Sequence, residues 1–454
     1  MIYFSLSANA YSSEEITVYP YDLRLGDVDN NGEVNVDDAC EIQRYLALFQ
    51  TGKPSDIPER WYSDIMDIDR NGSASIFDVT VLQQYLADID KSDLNINKVV
   101  YSRYQRLLRA TESLSNDEVT YYDAVNSNVD LYLSASDSEV TKYCNEENLD
   151  KPLALELDIP PDAKTIYLID TVSKSGSVHA VKSDCFFIKN LIPGRVYRYL
   201  ITDSENRLIK LGECSAKGRL RMIDAGGNTF NIRDLGGWSC DGGTLKYGLI
   251  YRGCELNGNI YNISLSEEQK HFFSDLLGIR DEIDLRSDDE IAGADGVFGT
   301  KDDINSSALG NSTDYKRYTV APYSAGINLN NPYQTEYYSS LIKRIVKDVS
   351  ENKPSYIHCL VGADRTGTVC ALIEALCGVS REDIEREYEL TSFARGNIRK
   401  KSSEEWQSLI KYLNNMDGNS LRDKAVNYAL KSGVTKSEIN TLRKALIDGN
   451  PEII

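Results

Sequence analysis

The sequence predicts a multidomain chain of three folded units: a small all-α unit, a β-sandwich and an α/β domain. Three observations carry this. An acidic loop followed by an amphipathic helix occurs twice between 21 and 91. Short alternating segments broken by Pro, Gly, Asp and Asn fill much of 92–220, and strand and helix patterns alternate over 221–454. A length of 454 residues agrees, because single hydrophobic cores stop growing well before that size.

The composition, 26% charged and 41% hydrophobic, is that of a soluble globular protein. A formal net charge of −20 argues against nucleic acid or an anionic membrane surface as the main partner. No run of eighteen apolar residues is present, so no transmembrane segment is expected. Residues 1–20 read as a partial signal peptide and linker. Ile2 to Leu6 is apolar, and Ala8-Asn9-Ala10 has the small-x-small form of a cleavage site. The nine cysteines form no CxxC pair, which argues against a zinc site and for mostly free thiols.

In the first unit, Asp27, Asp29, Asn31, Glu33 and Asp38 recur as Asp67, Asp69, Asn71, Ser73 and Asp78. Oxygen-bearing side chains at loop positions 1, 3, 5 and 12, with Gly32 and Gly72 at position 6, are the pattern that turns alternate residues onto a hard cation. All ten are candidate calcium ligands. The following helices are lined by Ala39, Ile42, Leu46 and Phe49, then by Val79, Leu82 and Leu86. Before each loop the chain reads as extended or Pro-rich (Tyr19-Pro20-Tyr21, Pro58). A calcium loop followed by one helix, twice over 21–91, resembles the dockerin module of cellulosomal proteins. That resemblance implies structural calcium and a cohesin domain of a scaffoldin as partner. The contact positions 10 and 11 carry Val36/Asp37 and Ile76/Phe77.

In 92–220 a linker with a helical stretch precedes expected strands at 131–133, 153–157, 165–169 and 196–201. The run Leu191 to Tyr197 resembles the loop-to-strand signature of fibronectin type III domains, so a sandwich of that kind is expected.

The third unit carries the chemistry. Strands are expected at 279–286 and 355–358, and helices at 333–349, 367–376, 404–413 and in two pieces over 421–448. Between strand and helix lies His358-Cys359-Leu360-Val361-Gly362-Ala363-Asp364-Arg365-Thr366. Five residues between Cys359 and Arg365 allow the backbone to curl into a nest of N–H donors, with Gly362 at the tight turn. A helix starting near Thr366 would direct its positive end at a bound phosphate and favour the Cys359 thiolate. Arg365 would clamp the phosphoryl oxygens. Thr366 is placed to hydrogen-bond the sulfur, and His358 to order the loop.

This stretch resembles the signature of the protein tyrosine phosphatase superfamily. Thr229 to Gly237, Leu249 to Gly253 and Ile283 to Arg286 with Glu290 resemble the "NFRDLGG", "YRS" and "DLRS…E" segments of its bacterial members. The resemblance covers 220–454 and implies a phosphocysteine mechanism with no cofactor. No Trp-Pro-Asp loop is present. The resemblance makes Asp364 the candidate general acid, which requires a raised pKa or an acidic optimum. Asp234 is the alternative, otherwise serving to hold its loop against the wall of the substrate site. Backbone of Leu360, Val361, Gly362 and Ala363 would bind the substrate phosphate. Ala363 stands where relatives often have Lys, which favours phosphotyrosine-like esters over highly anionic substrates. Together the resemblances imply a secreted, cellulosome-attached phosphatase among enzymes of polysaccharide degradation. The rival readings are an inositol-phosphate or phosphoinositide phosphatase and a non-catalytic scaffold component that binds a phosphorylated ligand.

Overall fold

A computed structural model describes residues 18, 21–51, 64–89, 95–114, 118–135, 139–144, 149–258, 260–293, 296–301, 303–394 and 397–454. The expected signal peptide, Tyr19, Pro20 and Pro58 lie outside these residues, as does the side chain of Phe49. No described helix is long and apolar enough to cross a membrane.

The described chain divides into two compact units. One takes the residues up to Thr120 together with Asp158–Phe186 and Val196–Cys214. The other takes Tyr121–Leu157, Phe187–Arg195 and Ser215–Ile454. The stretch 92–220 is therefore shared between the units rather than forming one of its own.

In the first unit, helices Val36–Thr51 and Ile76–Leu86 follow the two acidic loops. Ser75 caps the second helix in a capping box with Asp78. Ala39, Ile42, Val79 and Leu82 meet Leu25, Val28, Met66 and Ile68 in one core. Residues 64–66, just before the second loop, are helical where extended chain was expected. Strands Leu23–Arg24 and Val99–Tyr101 pair across the base of this module. Beyond it, Thr165–Asp170 pairs antiparallel with Gly176–Ala180 on one side and Val196–Thr202 on the other.

In the second unit the expected strand at 131–133 is instead part of helix Ser127–Ser134. Asn126 caps it by accepting from the Asn128 N–H, and Val129 and Tyr132 are buried at helical spacing. Tyr132 donates to Glu389 at 2.5 Å, and its ring packs against Phe393. These contacts draw 121–157 into this unit.

The core of the second unit is a five-stranded sheet in the order Arg233–Asp234, Ile250–Gly253, Ser355–His358, Asp281–Asp284 and Asp314–Arg317. All neighbours are parallel except the first pair. Ser355–His358 is central, with His358 in register with Gly253 and Asp284. In open parallel sheets, ligands bind beyond the carboxyl ends of the strands, and residue 359 begins there. Helix Asp364–Cys377 leaves this edge and is buried without a break from Thr366 to Cys377, which is why it reads as an apolar run. The helices expected at 333–349, 404–413 and over 421–448 are present. Pro332–Ser350 starts with Asn331 as cap and Pro332 in the first turn. Leu421–Lys431 and Lys436–Leu446 are separated at Gly433, and Thr435 caps the second in a box with Glu438.

Candidate active site

The loop from Cys359 to Arg365 is held by its carbonyl groups. The Glu255 N–H donates to the Leu360 carbonyl at 3.2 Å. Asn231 Nδ2 donates to that of Val361 at 3.0 Å, and Arg252 Nη2 to that of Gly362. The Ala363 carbonyl accepts from Gly367 N–H inside the helix at 2.8 Å. Three successive acceptors are thus engaged by the surrounding protein and the fourth by the helix that follows. No side chain caps the helix N-terminus at Ala363, so its orphan N–H donors are left for an anion. Gly362 has φ +74°, and a Cβ there would lie 2.0 Å from the Gly253 carbonyl oxygen, so glycine is required.

Arg365 is pre-oriented. Its Nη2 lies 2.6 Å from Glu290 Oε1, and its Nη1 donates to the Leu285 carbonyl at 3.1 Å. Glu290 comes from the "DLRS…E" segment and lies beside Arg365 because helix Asp288–Ile291 turns it toward the loop. His358 is fully buried with Nε2 at 3.0 Å from Glu282, consistent with an ordering part. Thr366 is also buried, and its hydroxyl has no hydrogen-bond partner.

The remaining loop contacts explain the "NFRDLGG" segment. Arg233 and Arg252 converge on Glu387, at 2.7 Å and 2.5 Å, in a fully desolvated triad behind the loop. Asn231 and Arg252 then hold two of its carbonyls. Asp234, from the same segment, holds its own loop. Its carboxylate accepts from the Gly236 and Gly248 N–H groups at 2.9 and 2.8 Å and pairs with Arg221 at 3.2 Å. Burial raises its pKa, with Arg221 and the two N–H groups opposing. None of these partners belongs to the phosphate loop.

Asp364 lies on the wall of a cleft of ≈ 790 Å³ with Arg365, Glu290, Tyr323, Tyr388, Arg399 and Lys400. Arg399 donates Nε to Oδ1 at 2.7 Å and Nη2 to Oδ2 at 2.8 Å, and the Tyr323 hydroxyl adds a third bond. Burial pushes the Asp364 carboxyl up, but the Arg399 bonds and charge, with Tyr323 and Arg365, outweigh it and hold it below the usual carboxylate range. The raised pKa expected of a resting general acid is absent. Sequence reading missed Tyr323 and Arg399. The one local signal was the basic run Arg399-Lys400-Lys401. Cys370, on the same helix as the loop, is buried with its thiol pushed up to about 12 by desolvation, so it is an inert core thiol.

In the first unit, carboxylate oxygens of Asp27, Asp29 and Asp38 lie within 4.8 Å of one another, and so do those of Asp67, Asp69 and Asp78. Burial raises the Asp27 pKa, with Asp38 and Asp29 adding to it against backbone N–H bonds, and one buried Asp27 oxygen lacks any partner. Crowded carboxylates and an orphaned acceptor fit a divalent cation. Asn31, Glu33, Asn71 and Ser73 lie on the exposed rim, and Glu33 stands outside the carboxylate cluster. Position 7 of this loop type coordinates through its carbonyl, so an exposed side chain there is compatible with the fit.

Comparison with known proteins agrees with both halves. Residues 227–448 match the model of the tyrosine phosphatase family, and residues 25–87 match that of the dockerin type I domain. A search of curated proteins found no match.

Proposed function

From a chain that carries a tyrosine phosphatase family domain and a dockerin type I domain, we propose a cysteine-dependent phosphatase that hydrolyses phosphate monoesters while tethered to a scaffold. The observation that supports it most is the loop from Cys359 to Arg365. Its carbonyls are drawn outward, its helix N-terminus is uncapped, and its arginine is oriented by Glu290.

The Cys359 thiolate attacks phosphorus, forming the P–S bond as the bond to the leaving oxygen breaks. Asp364 in its protonated form gives that oxygen its proton. Water then attacks phosphorus, Asp364 takes the proton back, and the P–S bond breaks to release phosphate. Backbone N–H groups of residues 360–363 and the Arg365 guanidinium carry the charge through both steps. No metal enters this sequence.

The preferred substrate is a phosphotyrosine-like ester. One observation favours the second reading, inositol phosphates: Arg399 and Lys400 line the cleft and supply positive charge that Ala363 does not. The test is a panel of p-nitrophenyl phosphate, a phosphotyrosine peptide and inositol hexakisphosphate, run with the full chain and its Cys359→Ser variant. Turnover of the first two, abolished in the variant, is expected. Residual turnover in the variant rejects the covalent mechanism, and faster release from the inositol ester moves the substrate class. Binding without turnover by the unmodified chain leaves only a phospho-ligand scaffold.

The dockerin binds two calcium ions through the Asp27 and Asp67 loops and docks to a cohesin. Val36, Ile76 and Phe77, at equivalent places in the repeats, are 61, 56 and 70% exposed, which suits a contact surface. Export and cellulosome attachment follow from that docking. The antiparallel strands Thr165–Asp170, Gly176–Ala180 and Val196–Thr202 are read as part of a fibronectin III-like sandwich.

A further inference from the structure

The resting state of Asp364 is at odds with its use as a proton donor, and the surrounding geometry explains how both hold. The two carboxylate oxygens face Arg399 Nε and Nη2 at 2.7 and 2.8 Å in the parallel two-bond arrangement typical of guanidinium pairs. The Tyr323 hydroxyl donates to the same Oδ1 and also meets the Tyr388 hydroxyl at 2.7 Å. A proton on Asp364 would have to sit on an oxygen edge that Arg399 already fills with N–H donors.

We propose that Arg399 is a positioning residue that keeps Asp364 ionised in the empty site, and that the Arg399–Asp364 pair opens before Asp364 protonates a leaving group. This rests on the reading of Asp364 as the acid–base residue. Opening requires only rotation of the Arg399 side chain. Its backbone is pinned by Ser392, whose hydroxyl accepts from the Arg399 N–H and donates to its carbonyl, both at 2.8 Å. Lys401 N–H is likewise held by Glu389 at 2.8 Å. Arg399 is 25% exposed at its side chain and borders the cleft, so the guanidinium has room to turn away from Asp364. Once it leaves, burial acts on Asp364 with less opposition.

The other charged and titratable groups facing Asp364 are Arg365 on its own helix, Tyr323 on the Tyr323–Gly326 turn and Tyr388 on helix Arg381–Glu389. Glu290, Lys400 and Glu405 complete the lining of the cleft. Arg365 is committed to Glu290, and Tyr323 and Tyr388 are neutral, each held above the usual phenol range first by burial. Arg399 is therefore the group whose removal moves Asp364 most.

The test compares pH profiles of kcat/KM for two substrates in the full chain. Phenyl phosphate needs its leaving oxygen protonated, whereas p-nitrophenyl phosphate departs readily as an anion. Removing a paired positive charge raises a carboxyl pKa. Arg399→Gln is expected to move the alkaline falling limb for phenyl phosphate upward by about one pH unit, an about tenfold gain on that limb. The alkaline limb for p-nitrophenyl phosphate should stay where it is, whatever the change in its overall rate, because its leaving group needs no proton. Arg399→Lys, which keeps the charge but loses the two-bond geometry, should lie between and supplies the readout if the glutamine variant does not fold. An unmoved limb, or an equal shift of the limb on both substrates, overturns the role of Arg399. Asp364→Asn separates this from the reading beneath it. If that variant retains the limb, Asp364 is not the donor. If it abolishes the limb while Arg399→Gln leaves it in place, only the role of Arg399 fails.

Discussion

Gly362 shows how much a single residue constrains this site. Its positive φ and its 2.0 Å clearance from the Gly253 carbonyl mean that alanine there must push the loop off the sheet edge. Gly362→Ala should lose at least about 100-fold in kcat and destabilise the domain by about 1–3 kcal/mol, read from single-turnover kinetics and urea unfolding. Asp284, next to His358 in the sheet, makes a different prediction. Burial would raise its pKa, but His358 and Arg286 outweigh that and bring it to about 2. Because the folded pKa is depressed, its contribution is full above the unfolded value near 4 and disappears as pH falls through about 2. A stability profile of wild type against Asp284→Asn should show a gap at pH 7 that shrinks by about 2 kcal/mol across that acid window.

Among the elements, helix Arg381–Glu389 was not foreseen, yet it organises the site. It holds the Glu387 triad and Tyr388, which stacks on Trp406 at 4.0 Å. Glu387→Gln leaves two buried guanidinium groups short of their counter-charge. It should cost about 3–5 kcal/mol and lower the affinity for orthovanadate, measured by thermal unfolding and inhibitor titration. The helix escaped notice because Arg381-Glu382-Asp383-Ile384-Glu385-Arg386 shows mostly charge, and its buried face is built from ion pairs as much as from Ile384 and Tyr388. Helix Ser127–Ser134 was misread because Leu131-Tyr132-Leu133 suggests a strand, while the deciding signal was Asn126 at its start. Elements with strong caps or unbroken apolar runs, such as 332–350 and 364–377, were legible. So were the turn from Cys359 to Arg365 and the two acidic loops, whose form depends on local spacing. Arg399 was not, because it reaches Asp364 from 35 residues away and only folding brings them together.

At the scale of the molecule, the acidic clusters lie in one compact unit and the phosphate loop in the other. Metal removal should therefore separate the two activities. With EDTA, turnover of p-nitrophenyl phosphate should stay within about twofold of its starting value, while calorimetry shows a lowered transition for the dockerin alone. Calcium titration should find two sites per chain, one lost in Asp27→Ala and the other in Asp67→Ala. All nine cysteines are free. The outward-turned carbonyls of residues 360–362 have a consequence for how the enzyme behaves where it works. A socket assembled before its ligand arrives favours any tetrahedral oxyanion of the right size, and orthophosphate is one. The enzyme should slow as its own product accumulates and run fastest where inorganic phosphate is scarce, so its output follows the phosphorus supply of its surroundings.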